Sequence, residues 1–443
     1  MFKKICAATA VFLCLVLSIS IVNCLLSCRI DRETESQSII NLNSAHVLSS
    51  GKENGSTPEK FENLYRRAHT TLKTEIGEYF EYSGVIHVHT TYSDGGGTYE
   101  EIIHTADSLG LDFIIPSDHN TIQPHKDNRA KKFGNILVIP AVENSMDNGE
   151  GHFLCIGDSL SLIRSKKVPS DSVFHDAVRK GMTTILTHPF HPRRNAWKNW
   201  DIGEFTGIEL FNMNTNFQNS LNLPRINRIL AGFIVYFFND EALNYMLSYP
   251  FKEMKKFDEL NQSRKLIGIG SLDAHSNVKI SKRASWRFPS YASMFNVVHT
   301  IIVTREGFNG QYKHDRNLVL NAVKHGNSYV GFSGLQNARG FLFTALSDSV
   351  EVITGDSLGM GQEAKIRIVL PDSINVTTQL IRNGSILKEY SKKGFIEVAV
   401  SESGIYRVQA FQERIMLPFF QKRSFPWILS NPIYIYKKDA DVD

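Results

Sequence analysis

The order of apolar and polar positions predicts alternating strands and helices through the middle of the chain. From Tyr82 onward, apolar runs of strand length alternate with segments whose apolar residues recur every three or four positions. Residues 99–110 and 171–181 have this helical spacing and both end in Gly, and the second begins acidic and ends basic, as the helix dipole favours. Because strands separated by helices favour a parallel sheet, this region is predicted to be α/β.

Histidine and carboxylate residues stand at the ends of these apolar runs. In residues 84–95, His87 and His89 alternate along a predicted strand and therefore point to the same side. Six further runs carry such residues, namely Asp118 with His119, Glu143, His152, His188, Glu209, and Asp273 with His275. Converging imidazoles and carboxylates bind divalent cations, and (βα) barrels carry their chemistry at the C-terminal strand ends. The pattern predicts a multinuclear metal site in a barrel.

The pattern changes after about Gly340. Six later segments alternate apolar and polar residues with a period of two, and turn residues such as Asn383-Gly384 separate them. This texture predicts a small antiparallel, sandwich-like β domain. Within the earlier βα region, residues 212–265 interrupt the series and contain an apolar run at 229–238. That run is too short to span a bilayer and is expected to be a buried helix or a lid over the site.

The N-terminus has the pattern of an export signal. Lys3 and Lys4 precede an uncharged stretch over residues 5–28. Its end, Leu25-Leu26-Ser27-Cys28, resembles the lipobox of bacterial lipoproteins, in which the Cys is lipidated, and the alternative is an uncleaved signal anchor. Both interpretations place the body of the protein outside the cytoplasm, tethered to the bacterial membrane or secreted.

These patterns divide the chain into four predicted parts. They are a signal peptide or anchor at 1–28, a tether with a lead-in helix at 29–79, a barrel at 80–340 with an insertion at 212–265, and a β domain at 341–438.

The net charge and the cysteine positions limit the classes of protein to which the chain can belong. The 49 basic and 45 acidic residues give a net charge of +4, which does not favour nucleic acid as a partner. Of the 5 cysteines, only Cys155 lies beyond the N-terminal segment, so the folded body has no intrachain disulfide framework. Cys155 lies in the predicted strand after His152 and is expected to be a buried, inert side chain.

The motifs together resemble those of the PHP superfamily, which is named for polymerase and histidinol phosphatase domains. The resemblance covers about residues 82–340. It rests on His-x-His-Thr-x-x-Ser-Asp-Gly at 87–95, Ser117-Asp118-His119-Asn120, Val142-Glu143-Asn144, Gly151-His152, Thr187-His188-Pro189 and Asp273-Ala274-His275, in that order. The trailing β segment resembles the carbaryl-hydrolase-like branch. The resemblance implies a distorted, TIM-like (βα)7 barrel.

The resemblance also implies two or three divalent metal ions, of Mn, Zn or Fe. Glu143 would bridge two of them. The implied ligands are His87, His89, Asp94, His119, Glu143, His152, His188, Asp273 and His275. A water or hydroxide held between the ions would attack a phosphorus or carbonyl centre, so no Ser or Cys nucleophile is needed.

Three further residues are candidates for catalysis. His191 follows His188 and could act as a general acid or contact the substrate. Arg193 could grip a phosphate oxygen, as could Arg194, or both could belong to a solvated loop. Asp118 could orient a neighbouring ligand or cap a turn.

The sequence therefore predicts an exported, metal-dependent hydrolase. A small-molecule phosphomonoester or phosphodiester is the expected substrate, since several metals with nearby arginines suit phosphoryl transfer. One alternative is a carboxyl-ester or carbamate hydrolase, and another is a surface binding protein that keeps metals without catalysis.

Overall fold

The structure is a computed structural model that describes residues 71–74, 77–157, 168–192, 195–220, 243–244, 246–279, 285–372, 374–416 and 421–438. The export segment with Cys28, almost all of the tether and lead-in helix, Arg193 and Arg194, and the apolar run at 229–238 lie outside these residues. The last residue of the predicted lead-in helix, Leu72, lies in a strand. In the described part of the chain, no helix is long and apolar enough to cross a membrane.

The described residues form a mixed α/β structure, as the sequence predicted. The helices are α1 (Tyr99–Ser108), α2 (Gln123–Lys126), α3 (Ser170–Arg179), α4 (Met213–Ser220), α5 (Phe251–Asn261), α6 (Tyr291–Phe295) and α7 (Tyr312–His325), with a 3-10 turn at Asp147–Gly149. The two helices predicted from their apolar spacing are confirmed as α1 and α3. Thr98 caps α1 by accepting a hydrogen bond from the Glu101 amide, and the buried side chains of both helices lie on one face.

Strands make up most of the remaining structure. The first half contains β1 (Thr71–Lys73), β2 (Glu78–Val88), β3 (Phe113–Pro116), β4 (Lys132–Phe133), β5 (Ile136–Val138), β6 (Val142–Ser145), β7 (His152–Ile156), β8 (Thr183–Leu186), β9 (Gly207–Asn212), β10 (Ile267–Ser271), β11 (Val278–Lys279) and β12 (Ser285–Trp286). The second half contains β13 (His299–Thr304), β14 (Ser328–Gly331), β15 (Leu342–Ser347), β16 (Val350–Ile353), β17 (Ser357–Met360), β18 (Ala364–Val369), β19 (Val376–Arg382), β20 (Ser385–Ser391), β21 (Phe395–Val400), β22 (Gly404–Met416), β23 (Gln421–Ser430) and β24 (Ile433–Lys437).

Two sheets carry the residues of the predicted site. One contains β2, β3 and β5 as parallel neighbours, with β13 antiparallel to β2. The other has the order β10, β9, β8, β7, β6, in which β8 to β10 are parallel and β6 to β8 are antiparallel.

The expectation of a fully parallel sheet was therefore wrong for these strands. The physical reason is clearest between β6 and β7, which only six residues connect, three of them in a 3-10 turn. A crossover between parallel strands needs about a dozen residues or more.

The two sheets meet at two places beside the predicted site. Val88 and Ala274 form a parallel bridge, and the His89 amide donates to the Ala274 carbonyl at 2.9 Å. A second parallel bridge joins His119 to Glu143. The ends of β2 and β10, and of β3 and β6, therefore lie side by side.

The C-terminal strands pack as two layers. β15, β16, β18 and β21 form a four-stranded antiparallel sheet, whose Ile366 and Ile368 share an apolar core with Val408 and the fully buried Trp427 of β22 and β23. The pairing in this sheet agrees with the predicted antiparallel character of the segment, whereas β17 and β24 pair in parallel. The layer containing β23 also continues into the central sheet, because β23 pairs with β14.

Candidate metal centre

The predicted ligands gather at one end of the two sheets. Most of them follow a strand, including His89 after β2, His119 after β3 and His188 after β8, and the Asp273 and His275 pair after β10. His152 instead begins β7, and it reaches the same end because β7 runs antiparallel to its neighbours. Strand direction therefore explains why ligands occur at both starts and ends of apolar runs.

An inner group of four donor atoms consists of Glu143 Oε2, Asp273 Oδ1 and the Nε2 atoms of His87 and His89. His87 Nε2 and His89 Nε2 lie 3.2 and 3.3 Å from Glu143 Oε2. The same two nitrogens lie 3.5 and 3.3 Å from Asp273 Oδ1. A tetrahedral ion with bonds of about 2.1 Å has ligand atoms about 3.4 Å apart, so these separations match one divalent ion.

A second group surrounds the other oxygen of the same carboxylate. His152 Nδ1 and His188 Nε2 each lie 3.1 Å from Glu143 Oε1. His119 Nδ1 lies 2.9 Å from Glu143 Oε2, on the boundary between the two groups. The two oxygens of Glu143 thus face separate sets of imidazoles, which is the geometry that a bridging carboxylate requires.

A third, more exposed group lies toward solvent. His275 Nε2 lies 3.3 Å from Asp94 Oδ1, and His119 Nε2 and His89 Nδ1 each lie 3.8 Å from it. The Asp94 side chain is 46% exposed, whereas those of His87, His89 and Glu143 are fully buried. The structure therefore brings all nine predicted ligands together in the three groups.

The donor atoms of the centre fit a metal ion. His87 Nε2, both ring nitrogens of His89, His119 Nδ1 and Glu143 Oε2 are buried and have no partner with hydrogen-bond geometry. An unpaired buried polar atom costs about 1–3 kcal/mol, so a cluster of them is costly unless an ion binds them.

The opposite ring nitrogens of three histidines are held by acceptors. The Nδ1 atoms of His87, His188 and His275 lie 2.6 Å from Glu209 Oε1, 3.0 Å from the Asn195 carbonyl and 3.0 Å from the Asp273 carbonyl. A proton on each Nδ1 leaves Nε2 with a lone pair, which is the form that binds a cation.

Glu209 supports two ligands at once. This fully buried carboxylate faces His87 Nδ1 with one oxygen, and its other oxygen accepts from the His188 amide at 2.6 Å and from Asn212 Nδ2 at 2.8 Å. The sequence placed Glu209 among the polar residues of the apolar runs but assigned it no role. The sequence feature that could have identified Glu209 was a single carboxylate inside a predicted buried strand.

Asp118 holds the loop that carries Asp94. Its side chain is fully buried and accepts hydrogen bonds from the Thr90 amide and hydroxyl, both at 2.8 Å, and from the Ser93 hydroxyl at 2.7 Å. It does not line the cavity that opens onto the proposed ligands. Asp118 therefore acts on the backbone turn and is not placed to contact a substrate there.

Three ligands have an uncommon backbone conformation. The φ angles of His87, His188 and Asp273 are 67°, 32° and 52°, in the left-handed region that residues other than glycine seldom occupy. Such conformations persist where surrounding contacts fix them, and they cluster at functional sites.

Carboxylates and histidines alternate through the centre, and these neighbours shift one another's pKa values. Burial alone would raise the pKa values of Glu143 and Asp273, but the surrounding histidines, His87 foremost, hold both pKa values well below the usual range. Burial alone would lower the pKa of His275, but Asp94 and Asp273 raise this pKa to about 9. The carboxylates are therefore ionised at neutral pH, as metal ligands must be.

A cavity of about 580 Å³ opens onto the three groups. His191 lines it, is 8% exposed, and has its ring centroid 5.7 Å from that of His188. Asn195, Asn214 and Gln218 line it as well, and the sequence did not point to them. Asn214 Nδ2 donates to Asp273 Oδ2 at 2.9 Å. The signal that could have identified Asn214 and Gln218 is their i, i+4 spacing in the helix that follows β9.

Cys155 takes no part in this chemistry. It is buried in β7, and burial raises the pKa of its thiol to about 12. The expectation of an inert thiol agrees with this environment.

Comparison with known proteins gives structural likenesses, two of which are described here, and no sequence match. No family model and no curated protein matches the chain. A two-domain protein from Bacteroides vulgatus, containing a predicted PHP-like metal-dependent phosphoesterase, is 14% identical with a TM-score of 0.38, and the match covers 79% of this chain and 95% of that one. A provisionally assigned metal-dependent phosphoesterase from Bifidobacterium adolescentis is 13% identical with a TM-score of 0.27, covering 46% and 90%.

Neither comparison supports the carbaryl-hydrolase-like branch. Both TM-scores are low, and the chemistry of the centre is inferred from the geometry of this chain.

Proposed function

We propose that this protein is a metal-dependent hydrolase of phosphoesters, with two or three divalent ions held by the nine residues of the centre. The observation that carries the proposal is the position of Glu143, whose two buried oxygens each face a separate set of histidine nitrogens at 2.9–3.3 Å. A carboxylate in this position would join two cation sites into one polynuclear centre.

The roles of the side chains follow from their contacts. Bound divalent ions would supply Lewis acidity and a water activated near neutral pH. Glu209 orients His87, and the Asn195 carbonyl orients His188. Asn214 donates a hydrogen bond to Asp273 Oδ2. His191 stands in the cavity wall as the candidate general acid for the leaving oxygen.

Charge balance favours an anionic substrate. The described residues that line the cavity include no Lys or Arg, so charge on a substrate there has to be balanced by the ions. Four carboxylates, those of Asp94, Glu143, Glu209 and Asp273, belong to the centre; two divalent ions would equal their charge, and three would exceed it by two. That excess suits a phosphate group, and Arg193 would add to it if it faces the cavity.

The fold around the centre also belongs to the proposal. We infer that the two sheets, joined at the Val88–Ala274 and His119–Glu143 bridges, form the wall of a distorted barrel. In such a barrel the strand ends, and thus the proposed ligands, would surround one axis.

Hydrolysis by metal-loaded protein tests the function. Full-length protein loaded with Mn²⁺ or Zn²⁺ is expected to release p-nitrophenol from p-nitrophenyl phosphate or bis-p-nitrophenyl phosphate faster than from p-nitrophenyl acetate. Glu143→Ala and His188→Ala should abolish turnover, while Glu81→Gln, a buried carboxylate outside the centre, should retain it. Acetate cleavage without phosphate release would instead support the carboxyl-ester alternative. Metal binding with no turnover on any ester would support a binding protein.

We also propose that the protein is exported and anchored through Cys28, on the basis of the N-terminal pattern. Labelled palmitate fed to expressing bacteria is expected to enter the wild-type protein and not Cys28→Ser. Unlabelled full-length protein in the cytoplasmic fraction would contradict this.

A further inference from the structure

A second cavity of about 540 Å³ adjoins the metal centre. It shares five lining residues with the first cavity, namely Asp94, Asn214, Gln218, Asp273 and His275. Its volume is within the range of about 300–1,000 Å³ that is usual for small-molecule sites. A molecule that reaches Asp94, Asp273 and His275 from the first cavity therefore also reaches the entrance of the second.

The two cavities differ in chemical character. Apart from the shared residues, the first is lined by His119, His152, His188, His191, Asn195 and Glu143. The second is lined beyond the shared residues mostly by apolar side chains, which are Met213, Phe217, Leu272, Phe288, Pro289 and Met294. Ser276 and Asn277 are its remaining polar residues in the described part of the chain.

Helix α4 forms the boundary between these two environments. Asn214 and Gln218, four residues apart, line both cavities. Met213 and Phe217, also four residues apart, line only the second. Residues spaced by four lie on one face of a helix, so adjacent stripes of the same helix present a polar pair and an apolar pair. Asn214 also donates to Asp273, which fixes this boundary to the metal centre.

We infer that the substrate carries an apolar group, of the size of an aryl or branched alkyl group, beside its scissile ester, and that the second cavity binds this group. The inference rests on the proposed function and specifies its substrate class. The anionic ester would face the donor groups around Glu143, while the apolar group would pass His275 and Gln218 to contact Phe217. Removing such a group from water favours binding in proportion to its apolar area.

A pair of matched esters tests this inference. Benzyl phosphate and methyl phosphate release alcohols of similar acidity, so they differ mainly in the group that the second cavity would hold. With Mn²⁺-loaded full-length protein, kcat/KM is expected to be about 10-fold or more higher for benzyl phosphate. Phe217→Ala should reduce this ratio at least about threefold, and Phe217→Leu should restore most of it. Phe251→Ala is the matched control, since Phe251 is exposed and lines neither cavity.

A ratio near one in the wild type, or an unchanged ratio in Phe217→Ala, would overturn the inference and leave the hydrolase proposal intact. If neither ester is hydrolysed, the p-nitrophenyl phosphate and bis-p-nitrophenyl phosphate assays decide the hydrolase proposal, and binding decides the inference separately. Calorimetry should then show tighter binding of benzylphosphonate than of methylphosphonate, with the difference reduced by Phe217→Ala. Equal affinities, or no binding of either phosphonate, would overturn the inference.

Discussion

At the residue scale, the metal centre depends on side chains that never face the cavity. Glu209 does not line it, yet its two oxygens accept from His87 Nδ1, the His188 amide and Asn212. A carboxylate can accept all three hydrogen bonds, whereas a carboxamide can offer only one accepting oxygen. The ring orientation of His87 is therefore sensitive to a single atom of Glu209.

Glu209→Gln is expected to weaken metal binding about 10–100-fold without unfolding the protein at saturating metal, because the ligand histidine loses its fixed tautomer. Competition with a chelating dye measures the affinity, and circular dichroism checks the fold. Glu204→Gln, at an exposed position, is the control. Equal metal affinity in wild type and Glu209→Gln would mean that Glu209 does not position His87.

The sequence predicted which ligand candidates would lie together better than it predicted the residues that support them. All nine proposed ligands fall in the three donor groups, because a motif specifies residue types at the ends of strands. The support of His87 by Glu209 joins residues 122 positions apart, and only the fold brings them together. Asn195 supports His188 through its backbone carbonyl, so the type of its side chain gives no sequence signal for this contact.

At the element scale, a buried acid joins β2 to β14 and the loop that follows. Glu81 is 1% exposed, with Oε1 2.6 Å from the Tyr329 hydroxyl and Oε2 accepting from the Gly340 amide at 2.7 Å. The Tyr329 hydroxyl also lies 2.8 Å from the Ala338 carbonyl. A protonated Glu81 can donate to Tyr329, which then donates to Ala338.

This arrangement predicts a pH-dependent stability. Burial raises the pKa of Glu81 from 4.5 to about 7, so between these values the folded protein keeps a proton that the unfolded chain has lost. The free energy of unfolding should therefore fall as pH rises through this window, by about 3 kcal/mol from Glu81 alone. Glu81→Gln should match the wild type at pH 4.5 and be more stable at pH 8, in urea unfolding of metal-free protein. A wild-type advantage at pH 8 would contradict this.

Strand directions were the least predictable feature of the elements. Apolar periodicity located α1, α3 and the main buried strands, but it contains no information on which way a strand runs. The short connection between β6 and β7 forces them antiparallel, and the resulting position of His152 follows from that direction.

At the scale of the whole molecule, the C-terminal strands and the metal-centre sheets share hydrogen bonds. Asn431, 1% exposed, accepts from the Gly268 amide at 2.6 Å and donates to the carbonyls of Gly268 and Ser328, both at 3.0 Å. One side chain thus connects the segment between β23 and β24 to β10 and β14. The sequence predicted an antiparallel C-terminal segment, and no local pattern could show this long-range contact.

Asn431→Ala is expected to lower the free energy of unfolding by about 3 kcal/mol, because it leaves buried groups of Gly268 and Ser328 without partners. Urea unfolding followed by tryptophan fluorescence measures the change, with exposed Asn337→Ala as the control. The loss should affect one cooperative transition. A separate early transition of the C-terminal strands would show that the two parts unfold independently.

The number of metal ions per chain tests the account most directly. Full-length protein is loaded with Mn²⁺ or Zn²⁺, freed of excess ions by gel filtration, and analysed for metal by elemental analysis, beside Glu143→Gln and the buried control Glu81→Gln. We predict two or three ions in the wild type and in Glu81→Gln, and at least one fewer in Glu143→Gln, because a carboxamide loses one of the two oxygens that face the histidine groups. Fewer than two ions in the wild type, or no loss in Glu143→Gln, would contradict a polynuclear centre bridged by Glu143.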